Sequence, residues 1–336
     1  MRGDAEAMDP TRSADRSARH LYRVFGGRLA SEVELPGLPE AEPDGPAPDW
    51  TLIRAVGASA GGEGDETLAD DRVKPGVRVR LRRVGDDLRL AFDDTGDFDV
   101  SPDGTRIRFR AGPEARPEDL RLDVVGRVLP LALHRQGMTC LHASAVVTGE
   151  GAVAFLGPKG AGKTTMALTL SGMGAAVLSD DVVPVEPGDP PRARPGVDRL
   201  RIRRDVAEAA GRTGAGDRAT DGRVEVEPDV AADGASVPLA ALYVLVPVEA
   251  DDSDHRVRRE RMTGPGAALA LMGELKLGPL LAPWRGPELL EACASLERGV
   301  PVYRLEVPRD VGRLDEPSRF ILEKHGGPVS AGAPAG

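Results

Sequence analysis

The segment GPKGAGKTT, residues 157–165, lies between an apolar run, GAVAFL (151–156), and a helix-forming run, MALTL (166–170). Gly157, Pro158, Lys159, Gly160, Ala161, Gly162, Lys163 and Thr164 fit the phosphate-binding pattern G-x-x-x-x-G-K-[ST]. Glycines let a backbone wrap closely around phosphate oxygens. Successive N–H groups then form an anion nest, and a helix starting near Gly162 adds its positive end. In such a loop Lys163 reaches the β- and γ-phosphates and Thr164 offers a hydroxyl to Mg²⁺. The pattern needs a strand before it and a helix after it, and both are read here. It therefore predicts a nucleoside triphosphate site, ATP or another, with Mg²⁺, on a mixed α/β core.

Working outward, VLSDD (177–181) ends an apolar strand with Asp180 and Asp181, one helix beyond the loop. A tight return brings these carboxylates back beside the loop. One can hold Mg²⁺ while the other accepts a proton from an attacking hydroxyl. The whole of AAVLSDDVVPVEP reads as a single strand bounded by Pro187. LSGMG (170–174) reads as the end of the loop helix, with Gly172 and Gly174 as stop signals. Upstream, His142 lies in CLHASAVV; Cys140 and His142 alone are too few ligands for a metal site.

The remaining chain frames this core. Residues 19–115 read as a small antiparallel β unit, with a hairpin broken at Gly26-Gly27 and alternating runs WTLIRAV, VRVRLRRV, LRLAFDD and TRIRFR. GGEGDETLADDR (61–72) reads as a polar loop. For the β unit two readings stand side by side: substrate or leader-peptide recognition, and a structural cover for a sheet edge. A helix is expected from Pro117 to Arg135, disturbed at Pro130. LAALYVLVPV reads as a central strand, GPGAALALMGEL and PELLEACASLERG as helices, VPVYRLEVP as a strand and PSRFILEKHGG as a last helix. The expected organisation is a disordered lead over 1–18, the β unit over 19–115, the loop-bearing domain over 116–326 and a disordered tail over 327–336. GRTGAGDRATDG (211–222) is a loop.

Composition narrows the partners. The 336 residues carry a formal net charge of -10, which argues against a nucleic-acid or anionic-membrane partner. Aromatic residues make up only 3%, so the core must be mostly aliphatic. Cys140 and Cys293 make no disulfide framework and read as reduced thiols of a cytoplasmic protein. No apolar run reaches the roughly 18 residues of a membrane span.

The histidine, the loop and the Asp pair at these intervals together resemble the catalytic domain of HPr kinase/phosphorylase, over about Leu141 to Asp181 and more loosely beyond. The resemblance implies the family's phosphoenolpyruvate-carboxykinase-like P-loop fold, ATP and Mg²⁺, and oligomers as an option. It makes Asp181 the proton acceptor, Asp180 its partner at the metal together with Thr164, and His142 an active-site residue. Three positions differ: Ala143 follows the histidine where the family has Gly, Thr165 stands where it has Glu, and Lys159 replaces a small residue. RLRIRRDVAEAAG and DGRVEVEP occupy the place of the family's second signature, a Glu-Ile-Arg-Gly-Leu-Gly-like run that serves phosphorylation and dephosphorylation. Phosphorolysis and HPr as acceptor therefore do not follow. The chain is more similar to divergent HPr-kinase-like proteins, some of which phosphorylate a serine on a precursor peptide. A kinase of a peptide or protein serine is the expectation; a small-molecule hydroxyl and a non-catalytic nucleotide sensor or scaffold are the alternatives. Arg201, Arg203 and Arg223 are candidates for neutralising transferring charge; among 44 basic residues each also reads as an ordinary surface arginine.

Overall fold

A computed structural model describes residues 20–55, 57, 65–74, 76–113, 115–197, 199–209, 223–228, 234–249, 257–309 and 313–329. The expected disordered lead, most of the expected tail and the 211–222 loop lie outside the described residues.

The N-terminal part forms one eight-stranded sheet. β1 (His20–Val24) and β2 (Gly27–Ser31) make the expected hairpin, turning at Phe25-Gly26. β3 (Trp50–Arg54), β4 (Glu66–Lys74), β5 (Val77–Val84), β6 (Asp87–Phe92), β7 (Gly96–Val100) and β8 (Arg106–Ala111) complete it in the order β1-β2-β3-β8-β7-β6-β5-β4. The antiparallel expectation is corrected at two places, because β3 runs parallel to both β2 and β8. Parallel neighbours need a crossover of about a dozen residues or more. The proline-rich segment 32–49, with Pro36, Pro39, Pro43, Pro46 and Pro48, supplies one between β2 and β3. The expected polar loop is corrected too: Glu66–Lys74 is an edge strand with two register shifts. Its charges suit an edge, while Leu68, Ala69 and Val73 pack on the core.

α1 (Pro117–Asp123) and α2 (Leu129–Arg135) are joined without interruption by a π-helical turn over Val124–Val128. The disturbance expected at Pro130 thus falls just before it. Proline has no N–H to return to the preceding turn, and the backbone widens instead, with the Leu129 amide donating to the Val124 carbonyl.

The second half is α/β. β9 (Thr139–Leu141), β10 (Ser144–Thr148) and β11 (Gly151–Leu156) lead into the loop and α3 (Lys163–Gly172). β12 (Ala176–Ser179), β13 (Val183–Glu186) and β14 (Arg192–Ala193) follow. AAVLSDDVVPVEP is therefore two strands, not one, with the Asp pair at the corner between them. β15 (Leu200–Arg203), α4 (Arg204–Ala209) and β16 (Arg223–Val226) form a small flap, in which β15 and β16 pair antiparallel. β17 (Val237–Val248) is the expected central strand, parallel to β11 on one side. β18 (Arg259–Met262), α5 (Gly264–Gly273), α6 (Gly278–Gly299), β19 (Val302–Pro308) and α7 (Asp315–Lys324) close the chain, β19 lying parallel to β17 on its other side. α6 starts earlier than the sequence suggested and bends at Arg285, between Pro283 and Pro287.

Alternate residues of β11 serve two cores. Val153 and Phe155 pack with Met166 and Leu170 of α3 and Ile321 of α7. Ala154 and Leu156 pack into a second cluster that runs through Leu133 to Trp50, Phe98 and Leu29 of the N-terminal sheet. The core is thus continuous across residue 115. Cys140 and Cys293 are buried and unpaired. Burial pushes both thiols up, Cys293 to about 12. Among the described residues no helix is long and apolar enough to cross a membrane.

One ionic knot stands inside the N-terminal sheet. Arg89 and Asp99, 2% and 1% exposed, meet at 2.6 Å, and Arg110 reaches the other Asp99 oxygen at 2.7 Å. Burial pushes the Asp99 carboxyl up, but Arg89 and Arg110 more than offset this and hold it below its ordinary value. Asp99→Ala leaves Arg89 buried without its main partner, and denaturant unfolding should show a loss of about 3–5 kcal/mol. Because folding lowers the Asp99 pKa, its contribution is present above the usual carboxylate range and is lost as pH falls through the folded-state value.

Candidate active site

Two neighbouring chain segments create the site by breaking at the same level. β10 pairs antiparallel with β12, Ala145 opposite Ser179. β9 pairs antiparallel with β13, Leu141 opposite Val183. Between them lie two gaps, His142-Ala143 on one segment and Asp180-Asp181-Val182 on the other. Side chains in these gaps are released from strand alternation and turn toward each other. Asp181 has a φ of 67°, a left-handed conformation that Asp tolerates better than most residues.

The glycine-rich loop 157–165 approaches the gaps from β11. Gly157, Gly160 and Gly162 all have positive φ, at 134°, 89° and 95°. Gly162 is the left-handed N-cap of α3, where a side chain would be strained. Lys163 is buried and its Nζ donates to the Gly157 carbonyl at 2.5 Å. Burial lowers its pKa. Pro158, Lys159 and Gly160 are exposed. The cleft, of about 300 Å³, is lined by the loop from Lys159 to Thr165 and by His142, Asp180 and Asp181.

The two aspartates have opposite surroundings. Asp180 faces three donors: Ser144 Oγ at 2.6 Å and Thr164 Oγ1 at 2.9 Å on Oδ1, and the Arg201 amide at 3.0 Å on Oδ2. Burial nevertheless raises its pKa. Asp181 lies between two cationic or polar groups: Lys276 Nζ is 2.6 Å from Oδ2 and His142 Nδ1 3.2 Å from Oδ1. Burial pushes the Asp181 carboxyl up, but Lys276 and then His142 hold it well below the usual carboxylate range. Its side chain remains 39% exposed toward the cleft.

Thus the structure brings together His142, Lys163, Thr164, Asp180 and Asp181, while Thr165 and Lys159 lie along the rim. Arg201 and Arg203 also line the cleft, and Arg203 is engaged by Asp205. Arg223 is on β16, with its side chain outside the described residues. Sequence reading missed Lys276 and Glu274, in the loop between α5 and α6. That loop is fastened beside β9: the His142 amide donates to the Glu274 carbonyl at 2.7 Å and the Lys276 amide to the Cys140 carbonyl at 2.9 Å. Burial raises the Glu274 carboxyl, which accepts a hydrogen bond from the Gly157 amide. No local motif marks either residue; only the backbone bridge to β9 places them.

The donor set suits a hard dication. Thr164 Oγ1 and Asp180 Oδ1 are oxygen atoms in contact at the helix start, of the kind such an ion takes. Among the described residues no three His, Cys, Asp or Glu side chains gather as a metal cage. Mg²⁺ is bound in such settings by one or two carboxylates, with waters and phosphate oxygens completing the shell.

No protein-family profile matches the chain, and no curated protein matches it. Among solved structures the chain is similar to the Hpr(Ser) kinase/phosphatase from Coxiella burnetii. The identity is 14% and the TM-score 0.29, over 55% of this chain and 95% of that one. A superposition this loose carries no argument about activity.

Lys276→Met should let the Asp181 pKa rise toward the ordinary carboxylate value, since burial then acts with less opposition. A carboxyl-carbon NMR titration of Asp-labelled protein measures this, and an unchanged Asp181 titration would contradict the clamp described above.

Proposed function

We propose that the protein is a Mg²⁺-dependent kinase that moves the γ-phosphoryl group of ATP to a serine hydroxyl of a peptide or protein. One observation carries this reading: Asp180 touches the loop threonine while Asp181, next in sequence, is held ionised and open to the same cleft. Adjacent carboxylates whose surroundings push their pKa values apart divide into separate roles.

In this reading the loop amides and Lys163 hold the phosphates, and Thr164 and Asp180 hold the metal. Mg²⁺ bound there would supply neutralising charge for the transferring phosphates. A cation beside Asp180 also opposes the burial that raises its pKa. Asp181 orients the acceptor hydroxyl and takes its proton. A new bond forms between the serine oxygen and the γ-phosphorus. The bond to the β,γ-bridging oxygen breaks, its electron pair leaves with ADP, and the proton ends on the Asp181 carboxylate. A carboxylate held at so low a pKa is a weak base, which suits a loose transfer in which little negative charge is drawn from the nucleophile early. Lys276 and His142 keep it ionised and in place. Arg201 and Arg203 add positive charge along the cleft wall. The apolar stretch Ile202, Val206, Pro247, Pro308 and Leu314 on the same cleft gives the nucleoside a surface to lie on.

Purified protein given Mg²⁺ and γ-labelled ATP should label serine peptides. Asp181→Asn should lower kcat by about 10²–10⁴-fold, the usual worth of a general base, with ADP affinity by calorimetry unchanged. Lys163→Met should abolish measurable nucleotide binding. A wild type that binds ATP and makes no phosphoproduct with any acceptor would instead identify a nucleotide sensor.

A further inference from the structure

The chain uses lysine sparingly. Of its 44 basic residues 39 are arginine and five are lysine: Lys74, Lys159, Lys163, Lys276 and Lys324. Three of the five meet at one place. Lys159 and Lys163 belong to the glycine-rich loop, and Lys276 holds Asp181. The chemistry proposed above uses Lys163 and Lys276 and leaves Lys159 without a task.

Lys159 stands at the tip of a tight turn. The Ala161 amide donates to the Pro158 carbonyl at 3.0 Å, Gly160 has a φ of 89°, and Lys159 itself has no positive φ. A positive φ at the third of four turn residues but not at the second is the type II arrangement. Pro158, its φ fixed by its ring, anchors the turn, and glycine at 160 permits it. The lysine stem therefore leaves from a fixed base. Lys159 is exposed and lines the same cleft as Asp181 and His142.

Among the described residues five cations line that cleft: Lys159, Lys163, Arg201, Arg203 and Arg309. Arg203 is taken by Asp205, Arg309 by Glu249 at 2.9 Å and Lys163 by the Gly157 carbonyl. Arg201 is engaged as well. Lys159 has no hydrogen-bond or ion-pair partner among the described residues. An exposed cation at a loop tip is ordinarily just hydrated, but this chain meets that need with arginine in nearly every case. Lysine differs in being a compact point charge on a flexible stem, where arginine is a broad planar fork. A point charge on a flexible stem can follow one phosphoryl group as it changes partners. Loop amides cradle the inner phosphates of a nucleotide, so the terminal group depends on side-chain cations. Two carboxylates on the same cleft, Asp180 and Asp181, would otherwise repel it.

We infer that Lys159 is a catalytic residue whose ammonium contacts the terminal phosphoryl group of a bound nucleoside triphosphate and neutralises its charge during transfer. The inference rests on the kinase reading. Lys159 stays protonated throughout. The acceptor oxygen bonds to the γ-phosphorus, the bond to the bridging oxygen breaks with its electron pair leaving on ADP, and the acceptor's proton goes to Asp181. The same contact makes the site prefer a triphosphate to a diphosphate.

Calorimetry on the full chain with Mg²⁺ separates binding from turnover, comparing ADP with a non-hydrolysable ATP analogue. Lys159→Ala should weaken the analogue by about 10- to 100-fold, the worth of one charge-assisted hydrogen bond, and leave ADP within about twofold. Lys159→Arg, which keeps the charge, should retain part of the preference. With γ-labelled ATP and a serine peptide, Lys159→Ala should lower kcat by about 10²–10³-fold. An unchanged preference for the analogue over ADP in Lys159→Ala would overturn the inference, whatever its kcat. So would an equal loss of ADP and analogue, which marks a residue that only shapes the loop. A wild type that binds neither nucleotide, or binds both and labels no acceptor, removes the kinase reading and the inference with it.

Discussion

The site depends on two adjacent chain segments interrupting their pairing at one level. A strand fixes side-chain direction by alternation; a gap removes that constraint. Because the gaps around His142 and Asp181 face each other, a histidine and a carboxylate meet without either strand leaving the sheet. The third party is the α5–α6 loop, whose backbone continues the hydrogen bonding at β9 and so delivers Lys276 to the other carboxylate oxygen. The loop threonine then reaches Asp180 from α3. Each contact is made by a residue at the end of a regular element, where position is rigid and direction is free.

Charge balance follows from that geometry. In and beside the cleft stand two adjacent aspartates and Lys163, with Lys276 and Glu274 behind them, partly or wholly removed from water. A buried charge is costly unless paired. Lys276 and His142 compensate Asp181, whereas hydroxyls and an amide serve Asp180, which leaves Asp180 the group with most to gain from a cation. Lys163 is parked on the Gly157 carbonyl, and Glu274 accepts from the Gly157 amide. The loop is thus held in shape by one of its own residues, Lys163, and by one from the α5–α6 loop, Glu274.

Much of this was legible in the chain. The glycine-rich turn from β11 into α3 could be read because glycines at that spacing before a helix-forming run mark a tight turn, and the Asp pair could be placed because one helix returns the chain to that turn. What escaped was non-local. Lys276 and Glu274 carry no motif. The parallel placement of β3 depends on where an eighteen-residue crossover returns. Glu66–Lys74 looked like a loop because an edge strand carries charge on both faces. The Asp corner was hidden in an apolar run that continues on both sides of it. The N-terminal unit left two readings open from sequence, and its continuous core with the second half and its hairpin tip beside Asp181 are properties of packing that no local pattern encodes.

The two cysteines, deep in the core and with thiols shifted far from ionisation, make the chain chemically silent toward reagents that attack thiolates. Because the sequence contains no others, the protein comes with a blank background for spectroscopy. A single cysteine introduced on the hairpin or the flap would be the sole reactive thiol. Paired probes there would report the distance between the two halves as nucleotide is added, without any native residue having first to be removed.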